Sequence, residues 1–219
     1  MNVSHYMQRD VITVSVDTPI DKAKAIMDEN NFGLIFVIDQ DALLAGFVSQ
    51  GMLKEIEDWE TPAEKLATPT RFAIAPTETI ERAAWIMHAN RLVLLPVVED
   101  QRLVGILTQL DVLAALADMA GIGLGSMRIA IKIRPETDDL YRALEVLNQF
   151  QGKVLSVLRK GTANEQYEEA IIRVQDIKDK EALQTELETI LRKNRALKKS
   201  CKPRDKSPED QGLEASDTH

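Results

Sequence analysis

The sequence is poor in the residues that would build a covalently or metal-stapled fold. One cysteine, Cys201, stands among 219 residues, which excludes an internal disulfide framework and fits a reducing compartment. His5, His88 and His219 lie far apart with no cysteine at ligand spacing, so no metal site is expected. No apolar run approaches the roughly 18 residues that a membrane span requires. The opening MNVSHYMQRD also lacks the basic flank and apolar core of an export leader. Neither a membrane nor an export role is expected, and a cytoplasmic location is. Positive charge is in deficit too: the formal net charge is −8, against the counterion release that rewards basic surfaces on phosphate backbones. No nucleic-acid partner is expected. The one basic stretch, RKNRALKKSCKPRDK, is read as a solvated helix end. No nucleophile elbow, phosphate loop or metalloprotease helix is present. Glu55, Glu57, Asp58 and Glu60, interleaved with Trp59, read as the solvated end of a helix. No catalytic residue is assigned, and neither enzyme activity nor a prosthetic group is expected.

What the chain does have is an internal echo. VSVDTPIDKAKAIMDENNFGLIFVID lies over IAPTETIERAAWIMHANRLVLLPVVE at an offset of about 60, with Ile20 over Ile80, Ala23 over Ala83, Met27 over Met87 and Asn30 over Asn90. The offset drops by one after the turn QDALLAG, which is one residue longer than DQRLVG, and the phrases GFVSQGM and GILTQLD then align. Each copy reads as a short strand (ITVSV, FAIAP), a helix, an apolar strand (LIFVI, LLPVV), a second strand (LAGFVS, LVGILT) and a closing helix (LKEI, VLAAL). A β-α-β-β-α unit of this size is too small to close a core alone, so the two copies form one module.

After Ala120 the glycine-rich GIGLGS marks a boundary. SMRIAIKI alternates as a strand, and TDDLYRALEVLNQFQ sets Leu140, Ala143, Leu144, Leu147 and Phe150 on one helical face. KVLSVLRK and YEEAIIRVQ follow as strands about the turn GTANEQ, and a second helix carries Leu183, Leu187, Ile190 and Leu191. This βαββα order is the ferredoxin-like plan without a clear last strand. The segment boundaries read 7–60, 61–119, a linker at 120–126, 127–196, and a disordered tail at 197–219. The fold class is α+β.

The two glycine phrases differ in their last letter, Asp111 against Met52. A carboxylate can accept hydrogen bonds from both vicinal hydroxyls of a ribose. At a helix start, free backbone N–H groups and the helix dipole also favour an anion. Thr108, three residues earlier, puts a hydroxyl beside the acid. The same Thr-x-x-Asp spacing is a capping box, in which the acid reaches back to the cap's own N–H. Both readings stand on the sequence alone. The Met52 thioether accepts hydrogen bonds weakly, so one competent and one degenerate cleft are expected.

Met7 to Val14, Leu95 to Glu99 and Gly105 to Asp111 together resemble a pair of CBS domains, the Bateman module. The segment after the linker looks like an ACT domain, an order similar to bacterial proteins of the acetoin-utilisation protein B type. The resemblance implies a non-enzymatic sensor working as a homodimer, its ligand an adenine nucleotide or adenosyl compound: AMP, ADP, ATP, adenosine or S-adenosylmethionine. By the same resemblance Ile12 and Thr13 from the first copy and Leu92 and Val93 from the second flank the adenine, with Asp111 and Thr108 on the sugar. The cations that such domains carry before the Leu-Pro-Val-Val run are replaced by Gly33-Leu34 and Val93-Leu94, leaving Arg9, Arg71 and Arg91 as substitutes. RPETDDL stands where a ligand-binding ACT domain carries a glycine loop. Asp138 and Asp139 would repel an amino-acid carboxylate there, so dimerisation is favoured over amino-acid sensing. The competing function is a ligand-independent scaffold, and an unknown protein partner is open to either.

Overall fold

The computed structural model describes residues 1–134, 137–161 and 167–200. The expectations attached to the tail beyond Ser200, with Cys201 and His219, to most of the turn GTANEQ, and to Pro135 and Glu136 fall outside the described residues. The chain divides into two units, Met1–Met119 and Ala120–His219.

In the first unit, copy 1 runs β1 (Thr13–Ser15), α1 (Ile20–Glu29), β2 (Leu34–Ile38), β3 (Leu44–Ser49) and a 3-10 turn, Met52–Glu55. Copy 2 runs α2 (Ile80–Asn90), β4 (Leu94–Glu99), β5 (Arg102–Thr108) and α3 (Gln109–Met119). The helical period does what it predicts: Ile20, Ala23 and Met27 are buried on α1, and Ile80, Ala83 and Met87 on α2. Burying each Ile or Met is worth about 1.5–3 kcal/mol. The aligned asparagines tie down the C-terminal turns of the two helices. Asn30 donates from Nδ2 to the Ile26 carbonyl at 2.8 Å and Asn90 to Ile86 at 2.9 Å, and each is followed by a left-handed residue, Asn31 or Arg91, at φ 55°.

Two expected elements are reduced. FAIAP is not a strand: Ile74 alone bridges Val97, through its own N–H to the Pro96 carbonyl and from the Val98 N–H. Pro76 and Pro96 have no N–H to extend that ladder. LKEI closes as four residues of 3-10 helix rather than an α-helix. Gly51 sits at its start with no side-chain cap, and the acidic run that follows would oppose the dipole at a helix C-terminus.

The copies exchange their lead-ins. Val3 and Met7, ahead of copy 1, are buried in the core of copy 2 with Ile80, Leu95 and Leu107. Ala63, ahead of copy 2, is buried in the core of copy 1 with Ile20, Val37 and Val48. Each lead-in then pairs with the glycine strand of the copy it packs on: Gln8 exchanges both backbone bonds with Ile106 at 2.9 Å, and Thr68 with Phe47 at 3.0 Å. This explains the repeated glycine. A Cβ on Gly105 would lie 2.8 Å from the Gln8 carbonyl oxygen, and one on Gly46 2.5 Å from that of Thr68, so only glycine admits the crossing backbone.

The second unit runs β6 (Met127–Ile133), α4 (Asp139–Gln149), β7 (Lys153–Lys160), β8 (Glu168–Gln175) and α5 (Lys180–Ser200). Its antiparallel sheet has the order β6-β8-β7. Ala143 and Leu147 of α4 and Leu183 and Leu187 of α5 cover one sheet face, with Leu140, Leu144, Phe150, Ile190 and Leu191 partly buried around them. Asp139, 3% exposed, accepts from the backbone N–H of Arg134 at 3.2 Å and from its guanidinium at 3.2 and 3.3 Å. Asp138 pairs with Arg142 at 2.6 Å. Both acids are therefore committed to ion pairs at the start of α4.

Candidate functional site

The phrase GILTQLD spans the end of β5 and the first turn of α3. Its glutamine ties that turn down: Gln109 donates from Nε2 to the Leu92 carbonyl at 3.0 Å and from its backbone N–H to Val93 at 3.1 Å. Copy 1 repeats the device, with Gln50 Nε2 on the Phe32 carbonyl at 2.9 Å and its backbone N–H on Gly33 at 3.0 Å. Glycine and glutamine thus have the same structural work in both copies.

The acid does not. Asp111 Oδ2 accepts from the Thr108 backbone N–H at 2.8 Å and from the Thr108 hydroxyl at 2.7 Å, while the Thr108 hydroxyl accepts from the Asp111 N–H at 3.2 Å. That reciprocal arrangement is the capping box. Gln8 Nε2 adds longer bonds, 3.1 Å to Oδ2 and 3.3 Å to Oδ1. Asp111 is half-buried, and its Oδ1 carries only the longer Gln8 bond among those described. A carboxylate oxygen has two lone pairs, so Oδ1 retains acceptor capacity.

Between the copies lies a cavity of about 320 Å³, lined from copy 1 by Leu34, Phe36 and Phe47 and from copy 2 by residues that include Arg71, Phe72, Asn90, Leu92 and Leu94. Its size falls at the lower end for small-molecule sites, and an apolar wall with few polar groups is their usual character. Of the residues singled out in the sequence, Asp111 and Thr108 are brought into direct contact, and Leu92 lines the cavity. Asp111 and Thr108 do not line it, although Thr108 stands opposite Leu94 in the β4–β5 ladder. Thr13 pairs with Phe36 in the β1–β2 ladder. Ile12 and Val93 are largely exposed, at 45% and 67%. Arg71 reaches the cavity. Arg9 instead donates to the Ser4 carbonyl at 3.1 Å, and Arg91 occupies the left-handed position that ends α2. Sequence reasoning missed Gln8, Phe47, Phe72 and Asn90. Asn90 was aligned with Asn30, Phe47 stood in the phrase GFVSQGM and Phe72 opposite Ile12 in the repeat, but none was singled out for the site.

The family model described as CBS domain matches the chain twice, at residues 3–56 and 63–118. Together these cover half of the 219 residues, and the chain belongs to the CBS-domain family. The inosine-5'-monophosphate dehydrogenase of Methanocaldococcus jannaschii is 33% identical over 106 residues, which take in 48% of this chain and 21% of that enzyme. The chain therefore spans about a fifth of that relative's length. Among solved structures, CBSX2 in complex with AMP aligns at 26% identity with a TM-score of 0.48, over 53% of this chain and 96% of that one. A CBS domain pair/ACT domain protein of Thermotoga maritima aligns at 22% identity with a TM-score of 0.49, over 54% of this chain and 98% of that one. No helix among the described residues is long and apolar enough to cross a membrane.

Proposed function

We propose that residues 1–119 bind an adenine nucleotide or adenosyl compound in the cleft between the two CBS copies, and that the chain acts as a cytoplasmic, non-enzymatic regulator. The observation that carries this reading is the cavity, with aromatic and aliphatic walls drawn from both copies and Arg71 as its one cation among the described residues. A purine fits such walls by stacking and apolar contact. Arg71 suits a single phosphate or carboxylate. The Asp111 Oδ1 is the acceptor for a ribose hydroxyl beyond the Leu94 edge, with Gln8 yielding its bond and Thr108 fixing the carboxylate. Ile12, Thr13, Leu92 and Val93 flank the base in this reading. Binding is transmitted only if the ligand prefers one arrangement of the copies. An ACT-like second unit that holds a homodimer is the proposed receiver.

Thermal shift in the presence of AMP, ADP, ATP, NAD and S-adenosylmethionine tests the proposal. At 100 times its Kd a ligand stabilises by about 2.7 kcal/mol through mass action. At least one member of the panel should raise Tm with saturable dependence, and Arg71→Ala should weaken that response. A flat panel at millimolar concentration would remove the sensing reading. The second reading, assembly without a ligand, is favoured by one observation: Asp111 is already engaged by its own helix start and by Gln8.

A further inference from the structure

Copy 2 leaves one residue of a strand edge unpaired at the cavity wall. In the β4–β5 ladder Pro96 stands opposite Ile106, and Ile106 turns both of its backbone groups away from β4, to Gln8. Bonded and non-bonded pairs alternate along an antiparallel ladder, so Leu94, opposite Thr108, is also a non-bonded pair. Thr108 accordingly gives its N–H to Asp111. Leu94 therefore points its N–H and C=O to the outer edge of β4. On either side of it that edge is filled. Leu92 donates to the Met87 carbonyl at 2.9 Å and accepts from the Gln109 side chain at 3.0 Å. Pro96 has no N–H, and its carbonyl accepts from Ile74 at 3.0 Å. Leu94 alone keeps a donor and an acceptor without a partner among the described bonds, and it lines the cavity. Such a pair is satisfied by water or by a ligand.

Copy 1 shows what keeps the edge open. There β1 pairs with β2 through Thr13 opposite Phe36, Val14 opposite Val37 and Ser15 opposite Ile38. The offset of 60 puts Pro96 where copy 1 has Phe36. A parallel ladder in copy 2 would need an N–H at position 96 for the Phe72 carbonyl, the next rung after the bond from the Val98 N–H to Ile74. The Phe72 N–H would then reach the Leu94 carbonyl. Proline withholds that rung, the ladder stops at Ile74, and Arg71 and Phe72 line the cavity instead.

We propose that Leu94 reads the base of the ligand through this backbone pair, and that Pro96 is the positioning residue that keeps the pair open. The inference rests on the reading of the cavity as an adenine-ligand site. Its ligand chemistry follows from the edge. One residue presents C=O beside N–H, and a 6-aminopurine presents the complement, its exocyclic amine as donor beside a ring nitrogen as acceptor. The open edge is a single residue long, too short to seat an added strand. Phe36, Phe47 and Phe72 give it walls suited to a planar ring.

Calorimetric titration of the full chain tests both halves. AMP is compared with N6,N6-dimethyl-AMP and with purine riboside 5'-monophosphate. Both analogues keep the sugar, the phosphate and the ring nitrogens, but one has no hydrogen on its exocyclic nitrogen and the other has no amine. Each should bind about tenfold more weakly than AMP. Pro96→Val supplies the missing N–H, so Phe72 should pair with β4 and close on Leu94. AMP affinity should then fall by about tenfold or more with no loss of Tm. The analogue comparison keeps the test decisive if Pro96→Val does not fold. The proposal is overturned if AMP and both analogues bind alike, or if Pro96→Val binds AMP as the unsubstituted chain does. It is overturned too if a folded Pro96→Val loses Tm along with affinity, because the ladder has then not formed. Asn90 also lines the cavity, and if Asn90→Ala abolishes the preference for AMP, the amine is read there and not at Leu94. Absence of AMP binding to the unsubstituted chain would remove the adenine reading itself, an outcome distinct from equal binding of all three compounds.

Discussion

Copy 1 and copy 2 share a helix-strand-strand frame, yet only copy 2 ends in an α-helix. The frame is held by features present twice: buried Ile, Ala and Met at equal spacing, an asparagine tie at the helix end, a glutamine tether and a glycine under a crossing backbone. The ending is held by one present once, the Thr108–Asp111 box. Where Ser49 and Met52 replace that pair, four residues of 3-10 helix follow instead of eleven of α-helix. Shared chemistry thus fixes the frame, and unshared chemistry fixes what is mounted on it.

The comparison breaks first, and hardest, at the glycines. Alanine at Gly46 or Gly105 forces a Cβ against a backbone oxygen that no side-chain movement relieves. Each substitution should cost about 3 kcal/mol, at the upper end for overpacking, read as a lower urea midpoint. Gly46→Ala should be the worse of the two because its approach is closer. If either is neutral, the exchanged lead-ins are not what hold the copies together.

Asp111→Asn separates the two duties of the acid. The amide oxygen can still accept from the Thr108 N–H, so the weakened box should cost about 1 kcal/mol or less. Affinity for the adenine ligand should fall tenfold or more in calorimetry if Oδ1 holds the sugar. An equal loss of stability with unchanged affinity would assign Asp111 to capping alone.

The repeat frame was legible because its signals are local. Apolar spacing predicts α1, α2 and α4, alternation predicts β6, and a one-residue insertion marks the turn between the paired strands. The exchanged lead-ins were not legible. Val3 and Ala63 align at the same offset as the rest, but which core a residue joins is decided by packing between segments far apart in sequence. The cavity is the same case. Leu92 could be named from its place before β4, whereas Phe47 and Phe72 meet only when the copies face each other. At Asp111 the spacing offered two readings, and the bond lengths establish the capping one.

A smaller effect tests whether the glutamines are as equivalent as their geometry. Gln50→Ala and Gln109→Ala each remove one side-chain bond to a carbonyl, of 2.9 and 3.0 Å. Each should lower stability by about 1 kcal/mol, and by equal amounts. A larger cost at Gln109 would mean that its tether supports the box as well as the strand end.

The smallest effect asks whether the difference between the copies can be reversed. Met52→Asp restores a Ser-x-x-Asp spacing from Ser49, giving the would-be helix an acid in its first turn and a partner for the Ser49 N–H. Capping and dipole terms favour it. Gly51 and the acidic residues downstream still oppose a full α-helix, so the gain should be about 0.5 kcal/mol, a small rise in Tm. Circular dichroism at 222 nm should show only a slight increase in helix. The sharper readout is stoichiometry. If the acid alone distinguishes a competent cleft from a degenerate one, calorimetry on Met52→Asp should move from one adenine ligand per chain toward two. If stability rises and stoichiometry does not, copy 1 lacks more than a carboxylate, and the cation is the next candidate, because Val11 stands in copy 1 where Arg71 stands in copy 2.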